Sequence, residues 1–368
     1  MDLVAKVERH IREERLLQEG EMIVVAVSGG PDSATLLHIL CLLSEKWRWN
    51  LVVAHVDHRF RGEESEREAR FVERWAESLG LPCEIGKIDV PAHMASSGKN
   101  AQVAARELRY AFLHRVAEQY GAQAIALAHH ADDQAETMLM RLIQGTGPSG
   151  LVGIPVRRVE KKVELIRPLL RIYKSEIMQY CAERRLDYCV DSSNLERKYF
   201  RNRVRLDLMP QLQKLNPRIA LSLNRLAEAM RAEDDYLARE ADRVFAQIVT
   251  TSESACRFEK ADFLKLHLAL QRRLLRRVFG FVAGEPNPGD FTRIELIRSA
   301  VTREHPPNLS LDLGGGLRLT REYGTVTLRR ERKAEPAAFD YPVADVPFAL
   351  AIPEAGADVS FALLNGEA

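Results

Sequence analysis

Apolar residues follow two different periods along the first half of the chain. Short runs rich in β-branched residues, at 22–27, 51–55, 83–88 and 123–128, predict buried strands, with a weaker one at 163–166. Between them the spacing is helical. A charged helix fills 1–20 and stops at Gly20, another follows at 34–43, and a third covers 101–119 between a capping Asn100 and Gly121. Ser65 and Glu68 make a capping-box pattern, after which Phe71, Val72, Trp75 and Leu79 share one helical face that ends at Gly80. Alternating strands and helices predict an α/β fold: a parallel, Rossmann-like sheet with helices on both faces. In such sheets ligands gather beyond the carboxyl ends of the strands, where the strand order reverses.

Beyond 210 the pattern turns helical, at 217–249, 261–281 and 290–301. Alternation returns over 309–330, with turns at the glycine triplet 314–316 and at Tyr323-Gly324, and predicts a small β-meander. The domain reading is therefore 1–210 for a catalytic sheet domain and 211–332 for a smaller, mainly helical domain. Residues 333–368 read as the opening strands of a further, truncated domain, since two strands alone are marginal.

Composition narrows the partners. A length of 368 residues accommodates two or three domains, and a formal net charge of +1 means that any nucleic-acid affinity must come from local patches. The five cysteines (Cys41, Cys83, Cys181, Cys189, Cys256) form no Cys-x-x-Cys pair, which argues against a zinc or iron–sulfur site and against a disulfide framework. No apolar stretch approaches a membrane span and the first residues lack a signal-peptide pattern, so the expected location is cytoplasmic.

Candidate chemistry sits at three predicted strand exits. The first is the turn Ser28-Gly29-Gly30-Pro31-Asp32-Ser33, whose glycines allow close backbone approach and whose free N–H groups open a helix, an anion cradle. It differs from the common ATP loop, because no lysine lies between Ser28 and Lys46. The second is Asp57-His58-Arg59, which adds Asp57 and His58 to the nucleotide side. The third, His129-His130-Ala-Asp132-Asp133-Gln-Ala-Glu136-Thr137, opens a helix on which Ala135, Met138, Leu139, Leu142 and Ile143 would face the sheet. Asp133 and Glu136 then share the opposite face, where two carboxylates can hold Mg²⁺ or an ammonium group; acids in a first helical turn also arise from capping alone. Arg106, Arg109 and Tyr110 fall on neighbouring helical positions, where the arginines suit bidentate phosphate contacts and surface salt bridges equally well. Finally, five cations between Arg197 and Arg205, among them Arg201 and Arg203, interleave with Tyr199 and Phe200 after the polar turn at 191–194. That combination suits unpaired RNA as well as a solvated helix face.

The Ser28–Ser33 turn resembles the pyrophosphate loop of ATP pyrophosphatases, which would put Asp32 beside Mg²⁺ or the phosphates. Taken in order with the strings at 56–61, 105–110, 128–137, 145–147, 167–170, 191–194 and 201–205, it resembles the tRNA(Ile)-lysidine synthetase family and its adenine nucleotide α-hydrolase-like fold. The resemblance implies ATP and Mg²⁺ as cofactors, with free L-lysine and the CAU-anticodon isoleucine tRNA as partners. The implied reaction is adenylation of the wobble cytidine at O2, followed by attack of the lysine ε-amine on carbon 2. It further implies catalytic roles for Asp32, Asp133 and Glu136, metal contacts at Asp32 and Asp133, and lysine or tRNA contacts at Arg106, Arg109, Arg201, Arg203 and Arg205. Oligomeric state is left open, a homodimer included. Two other readings compete: a different pyrophosphate-loop enzyme, such as a tRNA thiolase or an amide synthetase, and a nucleotide-binding sensor or RNA-binding module without catalysis.

Overall fold

The computed structural model describes residues 2–57, 63–189, 197–284, 291–331, 341, 348–352 and 357–361. The chain divides into two compact units, Met1–Asp234 and Asp235–Ala368.

The first unit opens with α1 (Leu3–Glu13), β1 (Met22–Ala26), α2 (Pro31–Trp47), β2 (Asn50–Asp57), α3 (Glu63–Ser78) and β3 (Cys83–Lys87). It continues through α4 (Val90–Ser97), α5 (Ala101–Tyr120), β4 (Ala124–Ala126), α6 (Ala131–Gln144), the short α7 (Pro148–Leu151), β5 (Arg157–Glu160), β6 (Val163–Ile166) and α8 (Lys174–Arg184). After α9 (Phe200–Arg203), a π-helical turn at Val204–Leu208 and α10 (Met209–Leu215), helix α11 (Ile219–Ile248) runs on past the division at Asp234.

The sheet order is β3-β2-β1-β4-β6-β5. Every pairing is parallel except the hairpin of β5 with β6. The chain steps outward from β1 to β2 and β3, then returns to lay β4 on β1's other side, so the strand order reverses between β1 and β4. Side-chain alternation builds a core on each face. Ile23, Val25, Leu51, Val53, Ala124 and Ala126 point to the face covered by α2, α3 and α8. Val24, Val52, Ala54 and Ile125 point to the other face, under Phe112, Leu113 and Val116 of α5. Helix α2 buries Leu36, Leu37, Ile39 and Leu40 completely, each worth about 1.5–3 kcal/mol of transfer from water.

Two expectations change. Helix α6 does not lay its apolar stripe on the sheet: Ala135, Met138 and Leu139 pack instead against Val204, Met209, Ala220, Leu223 and Ala227. Leu142 and Ile143 are exposed, at 47% and 55%.

In the second unit α12 (Lys260–Leu264), α13 (Leu268–Ala283) and α14 (Phe291–Thr302) accompany a five-stranded antiparallel sheet. The predicted meander is present as β9 (Leu309–Asp312), β10 (Leu317–Glu322) and β11 (Thr325–Arg330). It is widened by two strands not read from the sequence, β7 (Thr250–Thr251) and β8 (Ala255–Glu259). The last strands, β12 (Phe348–Ile352) and β13 (Ala357–Phe361), pair with each other. Among the described residues no helix is long and apolar enough to cross a membrane.

Candidate active site

The cradle forms where β1 gives way to α2. Gly29 takes φ +91°, a conformation a side chain would strain, and its carbonyl accepts the Cys189 N–H at 2.9 Å. Gly30 caps the helix and Pro31 occupies its first turn. Ser33 braces the turn from inside: its hydroxyl donates to Gly30 O at 2.9 Å and accepts from Ser28 N at 3.2 Å. The backbone N–H groups at the helix start are thereby held in place for an anion.

Helix α6 delivers the acids. His130 caps it, with its N–H donating to Asp133 Oδ2 at 3.0 Å. The His130 imidazole stands among three carboxylates: Nε2 lies 3.8 Å from Asp32 Oδ2 and 3.5 Å from Asp133 Oδ2, and Nδ1 lies 3.5 Å from Asp132 Oδ2. Burial disfavours the charged ring, but Asp132, Asp133 and Asp32 outweigh it and hold the His130 pKa above its ordinary value. For Asp133 burial again opposes charge, and His130, Arg201 and His129 overcome it, holding the carboxyl below the usual range. His129 goes the other way, since burial pushes its pKa down despite Asp133.

Two arginines close over the acid pair. Arg201 Nη2 donates to Asp133 Oδ1 at 2.9 Å and its Nε to Glu136 Oε2 at 3.1 Å. Arg205 Nε donates to Glu136 Oε1 at 2.6 Å and its Nη2 to Asp133 Oδ1 at 3.1 Å. The acids read as lysine or metal ligands are therefore already ion-paired with side chains read as substrate contacts. Lys174 Nζ donates to Asp32 Oδ1 at 2.5 Å.

Two adjoining cavities open here. One, of 360 Å³, is lined by Ser28, Asp32, Ser33, His55, Val56, Glu68, Arg109, Leu127, His129 and Asp133. The other, of 570 Å³, shares Ser28, Asp32 and Glu68 with it and adds Gly30, His130, Glu136, Lys174, Cys189 and Arg205. The glycine turn and the acid pair thus border one hollow. Arg109 reaches it, whereas Arg106 is exposed over the Tyr110 ring at 4.8 Å and Arg203 is exposed and lines neither cavity. Asp57 is buried at the end of β2, while its neighbours His55 and Val56 form the wall. His58 and the turn at 191–194 lie outside the described residues. Lys174 and Glu68 are site residues that sequence reasoning missed, Glu68 having a local signal only as part of a capping box. His130 stood in the third candidate string and lines the larger cavity, but nothing local announced its three carboxylate neighbours.

No group of three or more His, Cys, Asp and Glu side chains among the described residues is arranged to hold a metal alone. Mg²⁺ needs no such cage, because it commonly takes one or two carboxylates together with substrate phosphates. Asp32 and Asp133, on either side of one imidazole edge, fit that smaller demand.

A PP-loop domain family model matches residues 3–212, which contain every residue of both cavities. The chain is 38% identical over 322 residues to a tRNA(Ile)-lysidine synthase of Bacillus anthracis, covering 87% of this chain and 68% of that one. The chain belongs to the tRNA(Ile)-lysidine synthase family. A Bacillus subtilis member is 36% identical over 337 residues, covering 90% of this chain and 71% of its own. Among solved structures, a U34-tRNA thiolase from Methanococcus maripaludis, determined with its [4Fe-4S] cluster, superposes with a TM-score of 0.52 at 20% identity, over 62% of this chain and 79% of that one. That likeness is one of fold alone.

Proposed function

We propose that the chain ligates lysine to carbon 2 of the wobble cytidine of the CAU-anticodon isoleucine tRNA, using ATP and releasing AMP and pyrophosphate. One observation carries the reading: Asp32 of the nucleotide loop and Asp133 of the acid pair face the same cavity, with His130 between them.

In this reading the turn from Ser28 to Ser33 holds the ATP phosphates against the start of α2. Asp32 and Asp133 hold Mg²⁺, which supplies positive charge to the phosphates. Arg109, at the wall of the smaller cavity, and the exposed Arg106 and Arg203 meet anions of ATP or tRNA. The cytidine O2 displaces pyrophosphate from the α-phosphorus. The lysine ammonium exchanges places with a guanidinium at Asp133 and Glu136, where Arg201 and Arg205 now sit. It loses a proton to one of these carboxylates and attacks carbon 2, and AMP leaves.

The test is mass analysis of isoleucine tRNA incubated with the chain, ATP, Mg²⁺ and lysine. A lysyl mass on the wobble base supports the reading, and an unmodified tRNA with a competent substrate counts against it.

A further inference from the structure

The nucleotide loop carries no lysine of its own, yet an ammonium stands at its mouth. Lys174 comes from 142 residues further along the chain and places Nζ 2.5 Å from Asp32 Oδ1. It shares the wall of the larger cavity with Ser28, Gly30 and Pro31, so its charge faces the same space as the cradle's N–H groups.

The root of this side chain is fixed. Lys174 is the first residue of α8, and its N–H donates to Asp132 Oδ2 at 2.7 Å. Glu176 reaches back to the Tyr173 N–H at 3.0 Å and completes the capping box. Helix α8 is seated on α2 through buried Ile177, Tyr180 and Cys181, with Tyr180 hydroxyl 2.8 Å from His38 Nδ1 and Cys181 Sγ 3.2 Å from Thr35 Oγ1. The backbone of Lys174 is therefore tied to the helix whose N-terminus forms the cradle. Its four-carbon stem is free to swing, and the side chain is 37% exposed.

Charge decides what the ammonium is for. The start of α2 attracts anions, and Asp32 now occupies that field with Lys174 as its counter-ion. A triphosphate entering the cradle would be repelled by Asp32 unless cations stand between them. Lys174 already stands there.

We propose that Lys174 is a catalytic phosphate ligand: it leaves Asp32 for the β and γ phosphates of ATP and neutralises the departing pyrophosphate. This deepens the reaction proposed above and rests on it. In the step served, a bond forms between the cytidine oxygen and the α-phosphorus. The bond from that phosphorus to the bridging oxygen breaks, and the oxygen leaves with the electron pair as part of pyrophosphate. Lys174 contributes charge and hydrogen bonds, and no proton need move.

The test compares wild type, Lys174→Met and Lys174→Arg for binding of ATP, inorganic pyrophosphate and AMP in Mg²⁺. The Met variant is expected to weaken ATP and pyrophosphate by about tenfold or more while AMP stays within about twofold, because AMP lacks the phosphates served. The Arg variant should restore part of the loss. Equal weakening of AMP and ATP, or unchanged pyrophosphate binding, overturns the proposal. A wild type that binds pyrophosphate through Lys174 but transfers no lysine to tRNA would refute the proposed reaction instead, so the two failures are distinguishable.

Discussion

Arg205 lies edge to edge with Glu136, Nε 2.6 Å from Oε1 and Nη2 3.0 Å from Oε2, over a carboxylate that is 3% exposed. Such a bidentate pair is rigid and directional. It gives a buried carboxylate its hydrogen-bond donors before any substrate arrives. Glu136→Gln keeps the shape and removes the charge, leaving Arg201 and Arg205 with Asp133 alone. The expected outcome is a fall in lysine transfer of about 10²–10⁴-fold, if the carboxylate handles the proton. Stability should drop by about 1–3 kcal/mol at most, since both arginines are about a third exposed and partly screened. Single-turnover assays at saturating lysine, beside thermal unfolding, check both; unchanged transfer would confine Glu136 to a structural part.

His130 gives a pH dependence whose sign follows from its surroundings. Its pKa is raised in the fold, so its stabilising contribution is complete below the ordinary imidazole value of 6.5 and is lost as pH rises through the raised value. Asp132 and Asp133 are depressed, so theirs is complete above the ordinary 3.8 and lost as pH falls through the lowered values. The stability difference between wild type and His130→Gln should therefore be largest between pH 3.8 and 6.5 and shrink on either side. Taking the difference removes His10, His38 and His55, which burial holds below their ordinary values and which weaken the fold toward acid in both proteins. Denaturant titrations from below pH 3.8 up to pH 9 measure it; a difference that grows as pH rises past 6.5 would contradict the assignment.

Periodicity tells which residues share a face, and it says less about what meets that face. The sheet strands were legible because β1, β2 and β4 are apolar on both sides. Strand β5, with the sequence Arg157-Arg-Val-Glu160, is an exposed edge and carries no apolar alternation. The stripe on α6 was legible as a stripe, but its partners are helices later in the chain. Its last members, Leu142 and Ile143, lie beyond that contact and stay exposed. Loop and acid pair announced themselves as local strings at strand exits. Lys174 could not, because only the packing of α8 on α2 carries it to Asp32.

In the second unit Arg321 is 1% exposed and serves as a cap for α14. Its Nη1 donates to Ala300 O at 2.8 Å, Val301 O at 3.2 Å and Arg303 O, and its Nη2 to Pro306 O. A cation at a helix C-terminus meets the negative end of the dipole, and here it also satisfies carbonyls left open by the helix end. Arg321→Met should cost on the order of 1–3 kcal/mol for each carbonyl left without a donor, less where water enters. Hydrogen exchange should then speed up across α14 and β10 while ATP binding is retained. Unaltered exchange there would show that the carbonyls find other donors.

Helix α6 is held in place from its far side by a loop that reads its side chains. Gln134 accepts the Ile154 N–H at 2.5 Å and donates to Val152 O at 3.0 Å, and Arg141 donates to Gly150 O at 2.6 Å and Gly153 O at 2.8 Å. Gly153 sits among these bonds at φ +71°, and a Cβ there would stand 2.5 Å from Gln134 Oε1. Gly153→Ala therefore combines left-handed strain of about 1 kcal/mol with overpacking of about 1–3 kcal/mol. Gly121→Ala, at φ +64° with nothing within 4 Å of its Cβ, carries the strain alone. The difference in unfolding free energy between the two variants isolates the steric part. Because Gln134 lies between Asp133 and Glu136 in the chain, only Gly153→Ala should also lower lysine transfer, by moving the acids against Arg201 and Arg205. Equal losses of stability and undiminished transfer in both variants would mean that the loop yields and α6 stays where it is.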